Sequence, residues 1–236
     1  MKSSKLVALR NELKIHADAK TKIVAQKFFK EKINVYGVKT GVVVAIAKKY
    51  WKELKDVSKS EIFDLCEELY KSGIMEESFV VSSWVPKLSG CFEKKDITVF
   101  YHWIHSYITN WASCDGFCNH SVGAYIEKYP EQISELKKWA TSKNRWVKRA
   151  AAVSLIVPAR HGKFLDKVFE IADILLLDSD DMVQKGYGWM LKEASRLHQQ
   201  EVFSYVVKHK KVMPRTALRY AIELMPQSLR KKAMEK

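Results

Sequence analysis

The stretch that decides the fold is KNRWVKRAAAVSLIV, residues 143–157. Its apolar residues Trp146, Ala150, Val153 and Val157 recur at intervals of four, three and four positions. That spacing puts them on one face of an α-helix, whereas a strand alternates at every second residue. The stretch therefore predicts an amphipathic helix that buries one face and leaves the other to water.

The same spacing runs through most of the chain. Val24, Phe28 and Phe29 form the apolar stripe of an early helix, and Ser58 with Glu61 forms a capping box that predicts where a later one begins. Only nine glycines and five prolines interrupt the 236 residues, too few for the many turns of an all-β protein. Further helices are predicted at residues 41–54, 61–70 and 79–84, after Pro130, and at 143–157, 163–176, 179–196, 199–210 and 213–225.

The rhythm of these helices indicates an architecture. Roughly a dozen helices follow one another with short connections, and pairs of them recur about every 35–45 residues, as in HEAT-type repeats. We therefore expect an all-α fold, a curved α-solenoid (superhelix) of antiparallel HEAT-like repeats, whose concave face suits a long rod such as a duplex. An irregular helical bundle is the alternative, because no sequence motif recurs from pair to pair. No linker divides the chain, so residues 1–236 are predicted to form a single domain.

The charge balance points to a polyanion as partner. The chain carries 41 Lys and Arg against 27 Asp and Glu, a formal net charge of +14. Residues 206–236 alone contain nine basic residues against Glu223 and Glu235, a net charge of +7 that would add phosphate contacts. An excess of this size on one domain is typical of nucleic-acid binding, although a solubility bias or a preference for membrane surfaces would produce the same composition.

Composition also bears on the compartment and on cofactors. No apolar run is long enough to span a bilayer, the N-terminal residues lack the apolar core of a signal peptide, and four cysteines in this length suggest no disulfide framework, so we expect a cytoplasmic protein.

Cys114, Cys118 and His120 resemble a metal site, but the spacing is CxxxC and a fourth ligand is missing. Two small buried cysteines on one helix face are the preferred interpretation, and neither a metal nor another cofactor is expected.

Three short segments contain the candidate site residues. Trp111 and Asp115 are four apart and share a helix face, unless Asp115 merely ends a helix before Gly116. Arg145 and Arg149 are also one turn apart. Such a pair suits the binding of DNA phosphates, although a solvated basic face would have the same spacing. The third segment holds a tryptophan between two lysines, Lys185, Trp189 and Lys192. The tryptophan could stack on a base, or it could simply pack in the core.

Taken together, the three segments resemble the DNA alkylation repair protein family, the AlkD-type DNA glycosylases built from HEAT-like repeats. The pattern W-x-x-x-D is met at residues 111–115, N-x-W-x-x-R-A-A at 144–151, and Q-K-x-x-G-W-x-L-[RK]-E at 184–193. Smaller matches are YGVKT at 36–40, similar to the family's G-[IV]-x-T turn, and MPRTALRYAI at 213–222, similar to its closing helix. The resemblance thus spans nearly the whole chain.

The resemblance implies particular roles. The active aspartate would be Asp115, its two tryptophans Trp111 and Trp189, and the arginine of the DNA-facing cleft Arg149. Two departures from the family pattern stand out. Asn110 replaces a tryptophan that often precedes the first one, and Phe28 stands where an early aromatic near the lesion is often tyrosine. The remaining candidates for DNA contacts are Arg145, Lys148, Lys185 and Lys192.

The implied activity is excision of N3- or N7-alkylated purines from double-stranded DNA by a monomer. Alkylation makes the base cationic and a good leaving group, so a catalyst needs little more than negative charge near the sugar, which Asp115 supplies. The family also implies that the lesion need not be flipped into a pocket. The alternatives are a non-catalytic protein of the same fold that binds damaged or branched DNA, a protein-binding scaffold, and an alkyl-transfer protein using Cys114 or Cys118.

Overall fold

The structure, a computed structural model, describes residues 2–235. Over that range the chain forms sixteen α-helices and no β-strand, with one isolated bridge between Asn34 and Ile74. The predicted all-α class is confirmed, with more helices than the dozen or so expected. Within the same range, no helix combines the length and the apolar character that crossing a membrane requires.

The chain divides into two compact units, one ending at Phe117 and one beginning at Cys118. The expectation of a single domain over residues 1–236 stays a prediction. The first unit contains α1 (Lys2–Ile15), α2 (Ala19–Phe28), α3 (Thr40–Trp51), α4 (Lys59–Lys71), α5 (Met75–Trp84), α6 (Asp96–Tyr107) and α7 (Trp111–Phe117). The second contains α8 (Gly123–Lys128), α9 (Ile133–Ala140), α10 (Arg145–Val153), α11 (Ile156–Arg160), α12 (Leu165–Leu175), α13 (Asp181–Ala194), α14 (Gln199–His209), α15 (Arg215–Ala221) and α16 (Gln227–Met234).

In each unit, helices pack mainly on other helices that lie one to three elements away along the chain. In the first unit α3 packs on α5 and α5 on α7, while α4 contacts α1, α5 and α6. In the second unit α10 packs on α13 and α13 on α15, while α12 contacts α9 and α13, and α14 contacts α16. The apolar stripe of α10 is buried as predicted, at Trp146, Ala150 and Val153. Val147, Ala151 and Ala152 are buried as well, so the helix is enclosed on most sides and does not leave a whole face to water.

Local signals place most helix starts correctly. The capping box of Ser58 and Glu61 is present at the start of α4. Pro130 opens a short 3₁₀ turn that leads into α9 rather than α9 itself. The helix predicted over 143–157 is broken, because α10 ends at Val153 and α11 begins at Ile156. Pro158 accounts for the break, since its ring cannot follow an uninterrupted helix without meeting the carbonyl of Ser154.

Two further expectations need correction. The helix carrying Val24 and Phe28 forms, but α2 buries none of its residues, and the two side chains are 65% and 68% exposed. Phe29 lies just beyond its end. The last helix, α16, begins after Pro226 and was not predicted. Only Ala233 of that helix is buried, so the sequence lacks the apolar periodicity that reveals a helix.

The YGVKT segment at 36–40 owes its form to a buried carboxylate. Glu76 accepts hydrogen bonds from the backbone N–H groups of Tyr36 (3.1 Å), Gly37 (2.8 Å) and Val38 (3.0 Å). Gly37 has φ +96°, and a Cβ there would lie 2.5 Å from the carbonyl oxygen of Asp18. Glycine is therefore required both for the left-handed backbone and for the close approach to the start of α2.

Candidate functional site

Asp115 lies in the middle of α7, in the first unit, and is only 8% exposed. Asn110 begins the helix, because its side-chain oxygen accepts the backbone N–H of Ser113 at 2.9 Å. Because α7 continues past Asp115 to Phe117, the alternative in which Asp115 ends a helix is wrong, and the residue that caps this helix is Asn110. After Phe117 the chain continues as a π-helical turn, Cys118–Val122, an irregularity that recurs at functional sites.

Small residues let α7 lie close to α5. The hydroxyl groups of Ser78 and Ser113 are 2.7 Å apart, and a Cβ on Gly116 would sit 3.3 Å from the Ser82 hydroxyl oxygen. A hydrogen bond across this contact resists sliding of one helix along the other, and the short separation leaves no room for larger side chains. The backbone that carries Asp115 is therefore held firmly against α5.

An aromatic cluster surrounds Trp111, one turn before Asp115. Phe29 stacks on Trp111 with ring centroids 5.3 Å apart and an interplanar angle of 21°, and Phe28 meets it edge-on at 6.0 Å. The prediction named Phe28 alone. The sequence pattern assigns Phe29 to the apolar stripe of α2 without a role at the site, and it lies just past the last residue of that helix. The cluster fixes one side of the indole ring while Trp111 remains half-buried.

The space beneath α2 is incompletely filled. An apolar cavity of about 270 Å³ lies there, lined by the cluster phenylalanines and by Val24, Met75 and Phe79. Because α2 buries no residue of its own, its main attachments are the aromatic contact with Trp111 and the Asp18–Gly37 backbone hydrogen bond of 3.0 Å. The helix bearing Phe28 is thus the most weakly packed element beside the predicted site.

In the second unit, Arg149 is buried rather than part of a solvated basic face. It is 5% exposed, and its Nη1 donates to the backbone carbonyl of Met182. Gly186 makes this possible, because a Cβ there would lie 3.2 Å from Cγ of Arg149. Helix α13 therefore passes directly over the arginine. A guanidinium so enclosed is held in one orientation, as a positioned anion-binding group needs to be.

The other predicted DNA contacts in the second unit are engaged with carboxylates. Arg145 pairs with Asp180 at 2.9 Å, and Lys148 pairs with Asp178. Asp180 also caps α13 through the backbone N–H of Met182. Lys185 reaches Asp181 at 2.7 Å, and Lys192 reaches Glu223 at 3.2 Å. Sequence spacing revealed none of these pairs, because most join residues about thirty positions apart.

Trp189 is half-buried, and a carboxylate orients it. Its indole Nε1 donates to Glu193 at 3.2 Å, and Glu193 also accepts from Arg160 at 2.8 Å and from Arg196 at 2.6 Å. Burial opposes ionisation of Glu193, but the hydrogen bonds from Arg196 and Arg160 outweigh it and lower the pKa of its carboxyl group. Glu193 is thus a positioning residue that the motif contained and that sequence reasoning did not assign a role.

The prediction that Cys114 and Cys118 are buried is confirmed. Cys114 and Cys118 are fully buried, whereas His120 is exposed. Among residues 2–235, no group of three or more His, Cys, Asp and Glu side chains is arranged to hold a metal ion.

Comparison with known proteins identifies the family to which this chain belongs. The sequence profile of a family described as DNA alkylation repair enzyme matches residues 9–225. A solved structure described as a predicted DNA alkylation repair enzyme from Enterococcus faecalis superposes with a TM-score of 0.79 at 16% identity, covering 90% of this chain and 98% of that one. At that identity the likeness shows the fold alone. No curated protein matches the chain. Because the profile covers most of its length, the chain belongs to the DNA alkylation repair enzyme family.

Proposed function

We propose that this repair enzyme is a DNA glycosylase that excises cationic N3- and N7-alkylated purines from double-stranded DNA, the first step of base excision repair. One observation carries the proposal: an aspartate, Asp115, is 8% exposed on a firmly held helix, one turn from Trp111 in a cluster of aromatic rings. An acid enclosed in this way is unusual for a purely structural helix and suits stabilisation of positive charge.

The reaction makes modest demands on the protein. The bond between C1′ and the base nitrogen breaks, and its electron pair neutralises the cationic base. Water then forms a bond to C1′ and gives up a proton. Positive charge develops on the sugar in the transition state, and the carboxylate of Asp115 stabilises it or positions the water. Two unit charges 4 Å apart at an effective dielectric constant of 20 attract by about 4 kcal/mol, or roughly a thousandfold in rate.

The tryptophans act through their ring faces. Trp111 and Trp189 would attract the cationic base or sugar by roughly 0.5–2 kcal/mol each. The aromatic contacts of Phe28 and Phe29 hold Trp111 in place, and the hydrogen bond to Glu193 does the same for Trp189. Rings that are already oriented lose little side-chain entropy when the lesion binds.

Phosphate contacts would provide affinity without sequence preference. Arg149 is the anchored guanidinium, and the four paired cations Arg145, Lys148, Lys185 and Lys192 would exchange or share their carboxylate partners with DNA phosphates. Binding should then weaken steeply with salt. We further propose that the protein acts as a monomer in the cytoplasm.

The test is single-turnover release of 7-methylguanine from a defined duplex. Asp115→Asn should lower the rate at least tenfold while affinity for an undamaged duplex persists, because the amide keeps the shape of the side chain but loses its charge. Asp166→Asn, an exposed change at the start of α12, is the matched control and should keep the wild-type rate.

Each outcome is informative. Excision by Asp115→Asn at the wild-type rate would overturn the proposed mechanism. Wild-type protein that binds duplex tightly but releases neither 7-methylguanine nor 3-methyladenine would favour a non-catalytic protein that recognises damaged or branched DNA.

A further inference from the structure

A second basic site lies in the C-terminal part of the second unit, beyond α14. A cavity of about 730 Å³ opens between α15 and α16. We infer that it binds backbone phosphates of DNA, as an additional grip outside the three motif segments. The inference rests on the proposed function only in taking DNA as the partner, and not on base excision.

Both helices contribute cations to the lining of this cavity. From α16 it is lined by Gln227, Arg230, Lys231 and Met234, whose spacing of three, one and three puts them on one helix face. The facing wall comes from α15 and the turn after it, with Arg219 as its cation. Three cations from two helices therefore converge on one opening.

The walls of the cavity are held in place. Ala233 anchors α16 with no exposed surface, and the guanidinium of Arg215 donates to the carbonyl oxygen of Met234 at 3.2 Å. On the other side, α15 packs closely on α13, because the absent side chain of Gly188 leaves room for Tyr220 and Ala217. The cavity thus belongs to the packed body of the unit.

The charges around the cavity lack internal compensation. Of the described residues, none forms an ion pair with Arg219, Arg230 or Lys231, and all three are exposed. The one carboxylate in the lining, Glu223, is bound to Lys192 at 3.2 Å. This differs from Arg145, Lys148 and Lys185, each of which has a carboxylate partner. Three like charges around one opening repel one another, and an anion relieves the repulsion.

The chemistry of the lining favours a phosphodiester. Guanidinium groups bind two phosphate oxygens at once, and the amide of Gln227 adds a neutral donor. The lining offers no base-reading pattern, so the contacts would be independent of sequence. Lys192 connects this cavity to the third motif, since it is one turn from Trp189 and bonds to Glu223 of the cavity wall.

The experiment compares two double variants of the full chain on an undamaged duplex. Arg230→Gln with Lys231→Gln removes two cations from the cavity, whereas Lys208→Gln with Lys232→Gln removes two exposed cations that do not line it. Removing one cation that binds a phosphate should lower the slope of log affinity against log salt by about 0.9. We expect the cavity variant to show roughly twice that decrease, with affinity down on the order of tenfold near physiological salt.

The control variant should keep nearly the wild-type slope. Equal decreases in both variants would overturn the inference, because net charge alone would then explain the effect. If inorganic phosphate shifted the arginine side-chain NMR signals of the wild type while the cavity variant bound duplex normally, the cavity would be a site for a small anion and the inference would be wrong. Neither result depends on whether Asp115 excises a base.

Discussion

Asn110 stands where the family resemblance leads us to expect a tryptophan, and its side chain has a local structural role. It is 4% exposed, and its side chain caps the helix that carries Trp111 and Asp115. An N-terminal cap satisfies a backbone N–H that the helix itself leaves unpaired. The residue therefore stabilises the short helix on which the predicted chemistry depends.

Asn110→Ala should lower the free energy of unfolding by about 1 kcal/mol, because a buried N–H of α7 loses its acceptor. Asn110→Ser keeps a side-chain oxygen and should destabilise the protein by less than half as much. Urea unfolding at constant pH measures both. Equal stability of the alanine and serine variants would show that the cap contributes nothing.

Close helix packing in the second unit depends on one residue of a predicted motif. A Cβ on Gly188 would lie 2.7 Å from Cβ of Tyr220 and 2.8 Å from the carbonyl oxygen of Ala217. The glycine in the third motif is thus explained by the contact between α13 and α15, and not by backbone freedom. This contact also sets the distance between Trp189, the next residue, and the C-terminal helices.

Gly188→Ala should destabilise the protein by roughly 1–3 kcal/mol, because two packed helices must separate to accept the methyl group. The control is Gly41→Ala in α3, where no atom lies within 4 Å of the added Cβ. That change should leave stability unchanged or raise it by up to about 1 kcal/mol through helix propensity. Thermal unfolding of both variants checks the pair, and a Gly188→Ala variant as stable as the wild type would contradict the tight contact between α13 and α15.

At the scale of the whole molecule, carboxylates held in ion pairs offset part of the positive charge. Hydrogen bonds from Lys137 and Lys167 lower the pKa of Glu170, and those from Lys95 and Lys59 lower the pKa of Glu93. In Glu193, burial acts in the opposite direction but is outweighed. When such groups are protonated, the pairs break and the net charge of +14 rises further, so repulsion grows.

The pH dependence follows from the direction of these shifts. A carboxyl group with a lowered pKa in the folded protein stabilises it fully above the unfolded pKa, about 4.3 for glutamate, and loses that contribution as the pH falls through the folded pKa. The free energy of unfolding should therefore decline below about pH 5.

Glu193→Gln should make that decline shallower, since the buried carboxyl no longer titrates, and should lower stability at neutral pH. Glu201→Gln is the control, because Glu201 is exposed and its ion pair with His198 is long, at 3.7 Å. Unfolding measured from pH 7 to pH 3 checks both changes. A wild-type profile for Glu193→Gln would mean that its arginine partners do not stabilise the folded state.

The sequence by itself determined the helical class, most helix positions and the family. These follow from local physics: apolar spacing, the capping box at Ser58, and short motifs whose residues lie within ten positions of one another. It also singled out Trp111, Asp115 and Trp189 as candidates. Their roles in excision remain predictions, because motif spelling identifies residues without measuring what they do.

Only the tertiary structure decided what those residues touch. Burial of Arg149 beneath α13, the stacking of Phe29 on Trp111 and the anchoring of Trp189 by Glu193 depend on which helices pack together. The partners of Arg145, Lys148 and Lys192 likewise come from segments about thirty positions away, and the C-terminal cavity arises because α16 lies beside α15. Periodicity shows that a side chain lies on one face of a helix, but not which atoms meet that face. That is settled by packing, hydrogen bonding and charge across the folded chain.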